Sequence, residues 1–313
     1  MIHLRINDNP GPGTARQRSL VAAVRPHLLC YGLLLLPIAM VCTFIVIPMV
    51  RTVWSSFQAM DARGMAIHFS GWQNYHNLFA STLLQTVLKN TLFYSVLSVV
   101  LCLIISFILS IVLNDSRNSS SRFLLIGLFS PTVIPVVAGA NIWLYFLAPR
   151  FGLLGRILEP FGLGNVNLLG EPTSALCVLV VLFVWKYAPY FTLFLLAALQ
   201  AIPPDIRDAM RTEDPHHWHS YFKVILPMIA PMIAFVTMMA TVYALETVDP
   251  VYVMTQGGPG NGTNLIMYYL YQLGFNYFSW GPAAALSTIL MVGLSGLSAV
   301  SLIILERRAF HWQ

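Results

Sequence analysis

Six runs of about 20 or more apolar residues recur along the chain, at 28–50, 91–113, 123–147, 174–200, 224–253 and 282–305. A hydrocarbon core about 30 Å thick needs roughly 20 apolar residues per crossing helix. Without water, the backbone must bond within its own segment. The runs therefore predict an all-α integral membrane protein with six transmembrane helices, too closely spaced to leave room for a soluble domain. Composition agrees, with 57 % hydrophobic and only 9 % charged residues and a mean hydropathy of +0.72, well outside soluble usage. The first run follows Arg25 as a signal peptide would, but it is too long and lacks a small-residue cleavage site. Residues 1–27, with Pro10, Gly11, Pro12 and Gly13, are expected to form a tail, 28–308 the membrane domain, and 309–313 a short second tail.

Charge sets the expected orientation, because cytoplasmic segments near membrane helices accumulate Lys and Arg. Arg5, Arg16, Arg18, Arg25, Arg117, Arg122, Arg207, Arg211, Lys223, Arg307 and Arg308 fall on one side. Arg51, Arg63, Lys89, Arg150 and Arg156 fall on the other. The imbalance puts both termini in the cytoplasm. The formal charge of +5 is scattered among short connecting segments, which argues against a nucleic-acid partner. Cys30, Cys42, Cys102 and Cys177 lie in or beside apolar runs without CxxC or Cys/His spacing, so they read as packing residues rather than a disulfide frame or metal site. The outer segment 51–89 carries Trp72, Tyr75 and Phe79, aromatics that suit an interfacial helix plus loop.

Charge, histidine and proline crowd together only at 199–231, LQAIPPDIRDAMRTEDPHHWHSYFKVILPMIAP. Pro203 and Pro204 end the fourth run, and a proline in the first turn suits a new helix with Asp205 and Asp208 near its positive end. A helix over about 204–213 is expected. Asp214 then makes a favourable N-cap and Pro215 a favourable first residue for a second helix, over about 215–223. His216 and His219 share a face, but only Glu213 lies near enough to help complete four zinc ligands; a partly protonated surface patch is the better reading, and no metal is expected.

The order of these residues resembles the coupling loop of the inner-membrane permease subunits of ATP-binding-cassette (ABC) importers that work with a solute-binding protein. That loop reads EAA, three residues, Gly, nine residues, then Ile/Leu-x-Leu-Pro. Asp208, Ala209 and Met210 stand at EAA here, Asp214 at the glycine, and Ile225, Leu226 and Pro227 at the end. Asp208 replaces the usual Glu, and Asp214-Pro215 the usual Gly-Ala. Ser55-Phe57 with Gly71-Trp72-Gln73-Asn74-Tyr75 is similar to the "SF…GxxNY" outer segment of the sugar-importing subfamily. There Asn90-Thr91 begins the second helix, and Tyr252 to Gly260, YVMTQGGPG, is close to its "VYVLTxGGPG" signature.

The resemblance implies a MetI/MalF-like permease fold whose cytoplasmic coupling helices lie between helices four and five, within 201–227. Asp208, Ala209, Met210, Glu213, Asp214, Pro215, Leu226 and Pro227 would dock into the ATPase. It also implies a second, dissimilar permease, two copies of a cytoplasmic ATPase that bind ATP and Mg²⁺, an extracytoplasmic solute-binding protein, and the bacterial inner membrane. The chain itself carries no GxxxxGK[ST] phosphate loop, so it is expected to be a transport subunit without cofactor rather than an enzyme.

Polar groups at membrane depth are costly without a purpose. Trp185, Lys186, Tyr187 and Tyr190 fall near the middle of the fourth run, around Pro189, where ring faces could stack on a sugar and phenols or the ammonium bond its hydroxyls. By resemblance to the larger maltose permease, Thr132, Tyr243 and Thr247 line the same pathway. Glu246 sits nearer the outer end of the fifth run with Asp249. Two roles stay open for Lys186, pairing with Glu246 or contacting an anionic solute, and Thr247 is equally able to bond its own helix backbone. A secondary transporter or channel would share the six runs. HExxH and GxSxG are absent, which leaves a membrane-embedded enzyme without machinery.

Overall fold

A computed structural model describes residues 32–115, 120–162, 164–206 and 221–309. It divides into two units, residues 1–55 and 56–313. The first contributes one apolar helix, α1 (Gly32–Ser55), with a π-turn over Cys42–Val46.

The second unit opens with a feature that the interfacial reading of 51–89 did not foresee, an antiparallel hairpin of β1 (Gln58–Met60) and β2 (Ala66–Phe69). Its turn has a local cause: the Asp61 carboxylate accepts from the Arg63 and Met65 backbone N–H groups, and Gly64 takes a φ of +80° that side chains disfavour. Helix α2 (Gln73–Ala80) follows, and Asn74 donates back to the carbonyls of Ser56 and Gln58. Phe57, Trp72 and Tyr75 pack ring to ring.

Helix α3 (Thr82–Asp115) has 34 residues, or about 51 Å of helix. It starts well before the expected residue 91, so Asn90 and Thr91 lie inside it. Thr91, Ser95, Ser98, Cys102, Ser106 and Ser110 recur every three or four residues and are all buried. Such a stripe of small side chains lets helix backbones approach closely in a membrane, and α3 packs most extensively against α7 (Pro172–Gln200).

The third span is not the continuous helix expected over 123–147. It is α4 (Ser120–Val133) and α5 (Val136–Phe146), bent at 117°. Pro131 lies inside α4. Pro135 is extended, with φ −54° and ψ 142°, lacks an N–H, and pushes Ile134 out of the helical region. Short α6 (Leu153–Leu158) connects towards α7.

The fifth span also breaks. Helix α8 (Leu226–Leu245) ends at Glu246, and α9 (Asp249–Met254) begins after Thr247 and Val248, against the single helix expected over 224–253. Helices α10 (Ile266–Tyr271) and α11 (Trp280–Ala309) complete the chain. The main core gathers Tyr94, Phe183, Phe191, Leu195, Val236 and Val251. Among the described residues, five helices are long and apolar enough to cross a membrane, or six with the bent pair counted as one span.

Candidate functional site

On α7, Phe183, Tyr187, Phe191 and Phe194 follow at helical spacing and share one face. Tyr187 stands 4.7 Å from Phe183 and 5.2 Å from Tyr243 of α8, ring centre to ring centre. Tyr243 in turn meets Phe191 at 6.1 Å and Tyr190 at 6.5 Å. The result is a ladder of aromatic faces between two membrane helices, and it opens onto a cavity of about 210 Å³.

That cavity is walled by Tyr94 of α3, Val136 of α5, Lys186 and Tyr187 of α7, and Tyr243, Glu246, Thr247 and Asp249 around the break in the fifth span. The break explains why so many polar groups meet there. By ending α8 at Leu245 it turns the Glu246 carboxylate to an exposed position at the rim, beside exposed Asp249. Thr247 is buried: its hydroxyl donates to its own helix at the Tyr243 carbonyl, 3.1 Å away, and lies 3.2 Å from the Tyr94 hydroxyl.

The expected site residues separate into three groups. Lys186, Tyr187, Tyr243, Glu246 and Thr247 share the cavity, with Tyr190 one ring behind it. Trp185 points elsewhere, packing edge-on against Trp143 at 5.8 Å and over Gly139, where an added Cβ would lie 3.4 Å from its ring. Two residues along a helix rotate the side chain by about 200°, which carries Trp185 away from Tyr187. Thr132 reaches the site only through its carbonyl, which accepts from Lys186 at 3.0 Å, while its buried hydroxyl has no partner. Lys186 does not take the Glu246 pairing considered above; its ammonium bonds the carbonyls of Pro131, Thr132 and Ile134.

Sequence reading missed Tyr94 and Val136 as wall residues. Tyr94 was legible as the one large polar residue beside the Ser/Thr stripe of the second run, whereas Val136 carries no signal of its own.

Of the expected coupling residues, Asp208, Ala209, Met210, Glu213, Asp214 and Pro215 lie outside the described residues, as do His216 and His219. Residues 204–206 are helical, and Leu226 and Pro227 form the first turn of α8. Leu199, Ile202, Ile225 and Ile229 cluster there, so the end of α7 and the start of α8 are clamped together by apolar burial. Among the described residues no group of three His, Cys, Asp or Glu side chains is placed to hold a metal ion.

The loop after α9 is tied down from several directions. Gln256, Gly257, Gly260 and Asn261 all take positive φ. The Thr263 hydroxyl donates to the Gly258 carbonyl at 2.6 Å, Asn90 of α3 donates to the Asn261 carbonyl at 2.8 Å, and the Thr91 hydroxyl accepts from the Ile266 N–H at 2.9 Å. Gly262 sits so close to α7 that an added Cβ would lie 2.3 Å from Pro172 Cβ.

Comparison with known proteins places this architecture. Residues 106–310 match the model of a family described as binding-protein-dependent transport system inner membrane component. The sn-glycerol-3-phosphate transport system permease protein UgpA of Yersinia pestis is 30 % identical over 289 residues, 91 % of this chain and 97 % of that protein. The trehalose/maltose transport system permease protein MalF of Thermococcus litoralis is 34 % identical over 165 residues, 52 % of this chain and 55 % of that protein. Among solved structures, a chain of a bacterial ABC transporter involved in the import of the acidic polysaccharide alginate superposes with a TM-score of 0.81 at 22 % identity, covering 92 % of this chain and 99 % of that one.

Proposed function

Because the chain belongs to the family of binding-protein-dependent transport system inner membrane components, a family of ABC importer permeases, we propose that its solute is a sugar or a related polyol or glycerol-phosphate-type compound. The observation that carries this reading is the cavity beside the Tyr187–Tyr243 ring pair. Ring faces cover the apolar side of a sugar, and the hydroxyls and carboxylates around them accept from or donate to its periphery. The names of UgpA and MalF support the same solute range.

The complex would consist of this permease, a second and dissimilar one, two copies of an ATP-binding-cassette ATPase, and an extracytoplasmic solute-binding protein. Both termini would face the cytoplasm, as the Lys and Arg bias requires. ATP and Mg²⁺ would be held by the ATPase alone. Its closure would pull on residues 201–227 and, through them, on α7 and α8, whose adjoining ends are packed together at Leu199 and Ile225. The solute pathway would run past Tyr187 and Tyr243.

Reconstituting the complex in proteoliposomes with its solute-binding protein tests the reading. Uptake should require ATP inside the compartment that holds the ATPase, and should not respond to an imposed proton or sodium gradient. Uptake by this chain alone, driven by such a gradient and indifferent to ATP, would establish a secondary transporter instead.

A further inference from the structure

The third span bends because Pro131 and Pro135 stand four residues apart, and that spacing has a specific consequence for the backbone. In a helix the carbonyl of residue 131 accepts from the N–H of residue 135, and proline has none. The Pro131 carbonyl is therefore left without its helical donor. With residues 134 and 135 out of the helix, the carbonyls of Thr132, Val133 and Ile134 lose theirs too. Bare carbonyls within a span need donors, either from water in a cavity or from a neighbouring element.

Lys186 of α7 is that neighbour. Its Nζ lies 2.8 Å from the Pro131 oxygen and 3.0 Å from that of Thr132, and it also bonds the Ile134 oxygen. An ammonium has three N–H donors and no acceptor, so three carbonyls match its capacity. The side chain is 8 % exposed, and the carbonyl end of α4 carries the negative pole of that helix, which favours a cation. A buried charge and a broken backbone, each costly alone, satisfy one another.

This arrangement leaves Lys186 no donor for an anionic solute. It also joins two moving parts. Val136, one residue past the elbow, is part of the cavity wall, and α7 leads at Gln200 into the segment expected to receive the ATPase stroke. We propose that Lys186 is a positioning residue, a hydrogen-bonded clasp that fixes the elbow of the third span to α7, so that displacement of α7 carries the cavity wall with it. The transport part of this proposal rests on the importer reading; the clasp itself does not.

The test compares Lys186→Arg, Lys186→Gln and Lys186→Met in the assembled transporter in lipid nanodiscs. Spin labels are placed at Ser130 and Asn141, exposed positions on the two arms, with the native cysteines replaced. The native protein should give one narrow distance distribution between the labels. Lys186→Met, which keeps length but removes every donor, should broaden it and reduce ATP-driven uptake at least tenfold. Lys186→Gln, neutral but still an N–H donor, should recover part of both, and Lys186→Arg most of both.

If Gln and Met behave alike and only Arg transports, the residue acts by charge on the solute and the clasp is overturned. An unchanged distribution in Lys186→Met overturns it as well. Should Lys186→Met fail to assemble, the Gln variant decides: a distribution only modestly wider than the native one supports donors over charge, and one spread out like an unconstrained hinge refutes it. A native complex that never transports would remove the importer reading while leaving the distance measurement to stand.

Discussion

Truncating Tyr243 gives two results that should differ in kind. Its ring meets Tyr187 at 5.2 Å, Phe191 at 6.1 Å and Tyr190 at 6.5 Å. Aromatic pairs are worth about 0.5–1.5 kcal/mol each beyond buried area, so Tyr243→Ala forfeits about 1.5–4.5 kcal/mol across three pairs, an upper bound because contacts in one cluster do not add fully. Tyr243→Phe keeps every ring contact and removes only the hydroxyl at the cavity wall. If that hydroxyl bonds the solute, its loss costs about 0.5–1.5 kcal/mol, which is about two- to twelvefold in affinity. The assay pairs two measurements on the reconstituted complex, melting in detergent and the concentration dependence of solute uptake. Phe should lower melting far less than Ala and raise KM, whereas Ala should lower both melting temperature and uptake, with assembly retained. Tyr187→Ala should resemble Tyr243→Ala, since the two rings face each other. A Phe variant that transports like the native protein, together with an Ala variant of native stability and uptake, would refute the site and move the pathway off the α7–α8 seam.

Three further outcomes follow from other regions. Asp208→Lys should uncouple ATP hydrolysis from uptake while the complex still assembles, because a cation replaces the acid in the segment expected to dock into the ATPase; unchanged transport would end that assignment. Gly262→Ala would put a Cβ 2.3 Å from the Pro172 Cβ and 2.9 Å from its Cα in α7's first turn, an overpacking strain of about 1–3 kcal/mol that thermal denaturation should report as a lower melting temperature. Trp185→Ala should weaken stability by the loss of its Trp143 contact, about 0.5–1.5 kcal/mol, with KM for the solute unchanged, since Trp185 faces away from the cavity.

Span positions were legible because a bilayer imposes long apolar runs whatever the packing, and 174–200 was read within two residues of α7. The break in the third span was harder to see. Pro189 and Pro231 sit inside helices that continue through them, so proline alone does not decide; the spacing from Pro131 to Pro135, which removes the donor owed to Pro131, was the signal. The backbone partners of Lys186 were hidden for a related reason. Sequence offers only side chains as partners, and Glu246 was the visible one, whereas backbone carbonyls become acceptors only once a helix is known to have broken. Trp185 was grouped with Tyr187 by depth alone, although helix geometry already put them on different faces. The hairpin at 58–69 was hidden by the shortness of its strands, despite the Asp61 and Gly64 turn chemistry.

The bonds that gather the 255–266 loop onto α3, and the close seating of Gly262 on Pro172, give α7 one anchored end. A rod held at one end is a lever with its fulcrum there. Lys186 lies midway between Pro172 and Gln200, so under the importer reading a displacement applied at Gln200 would reach the elbow of the third span at about half amplitude. That gearing suits a cavity wall, which has to shift by the width of a side chain, better than it suits a gate that must swing wide.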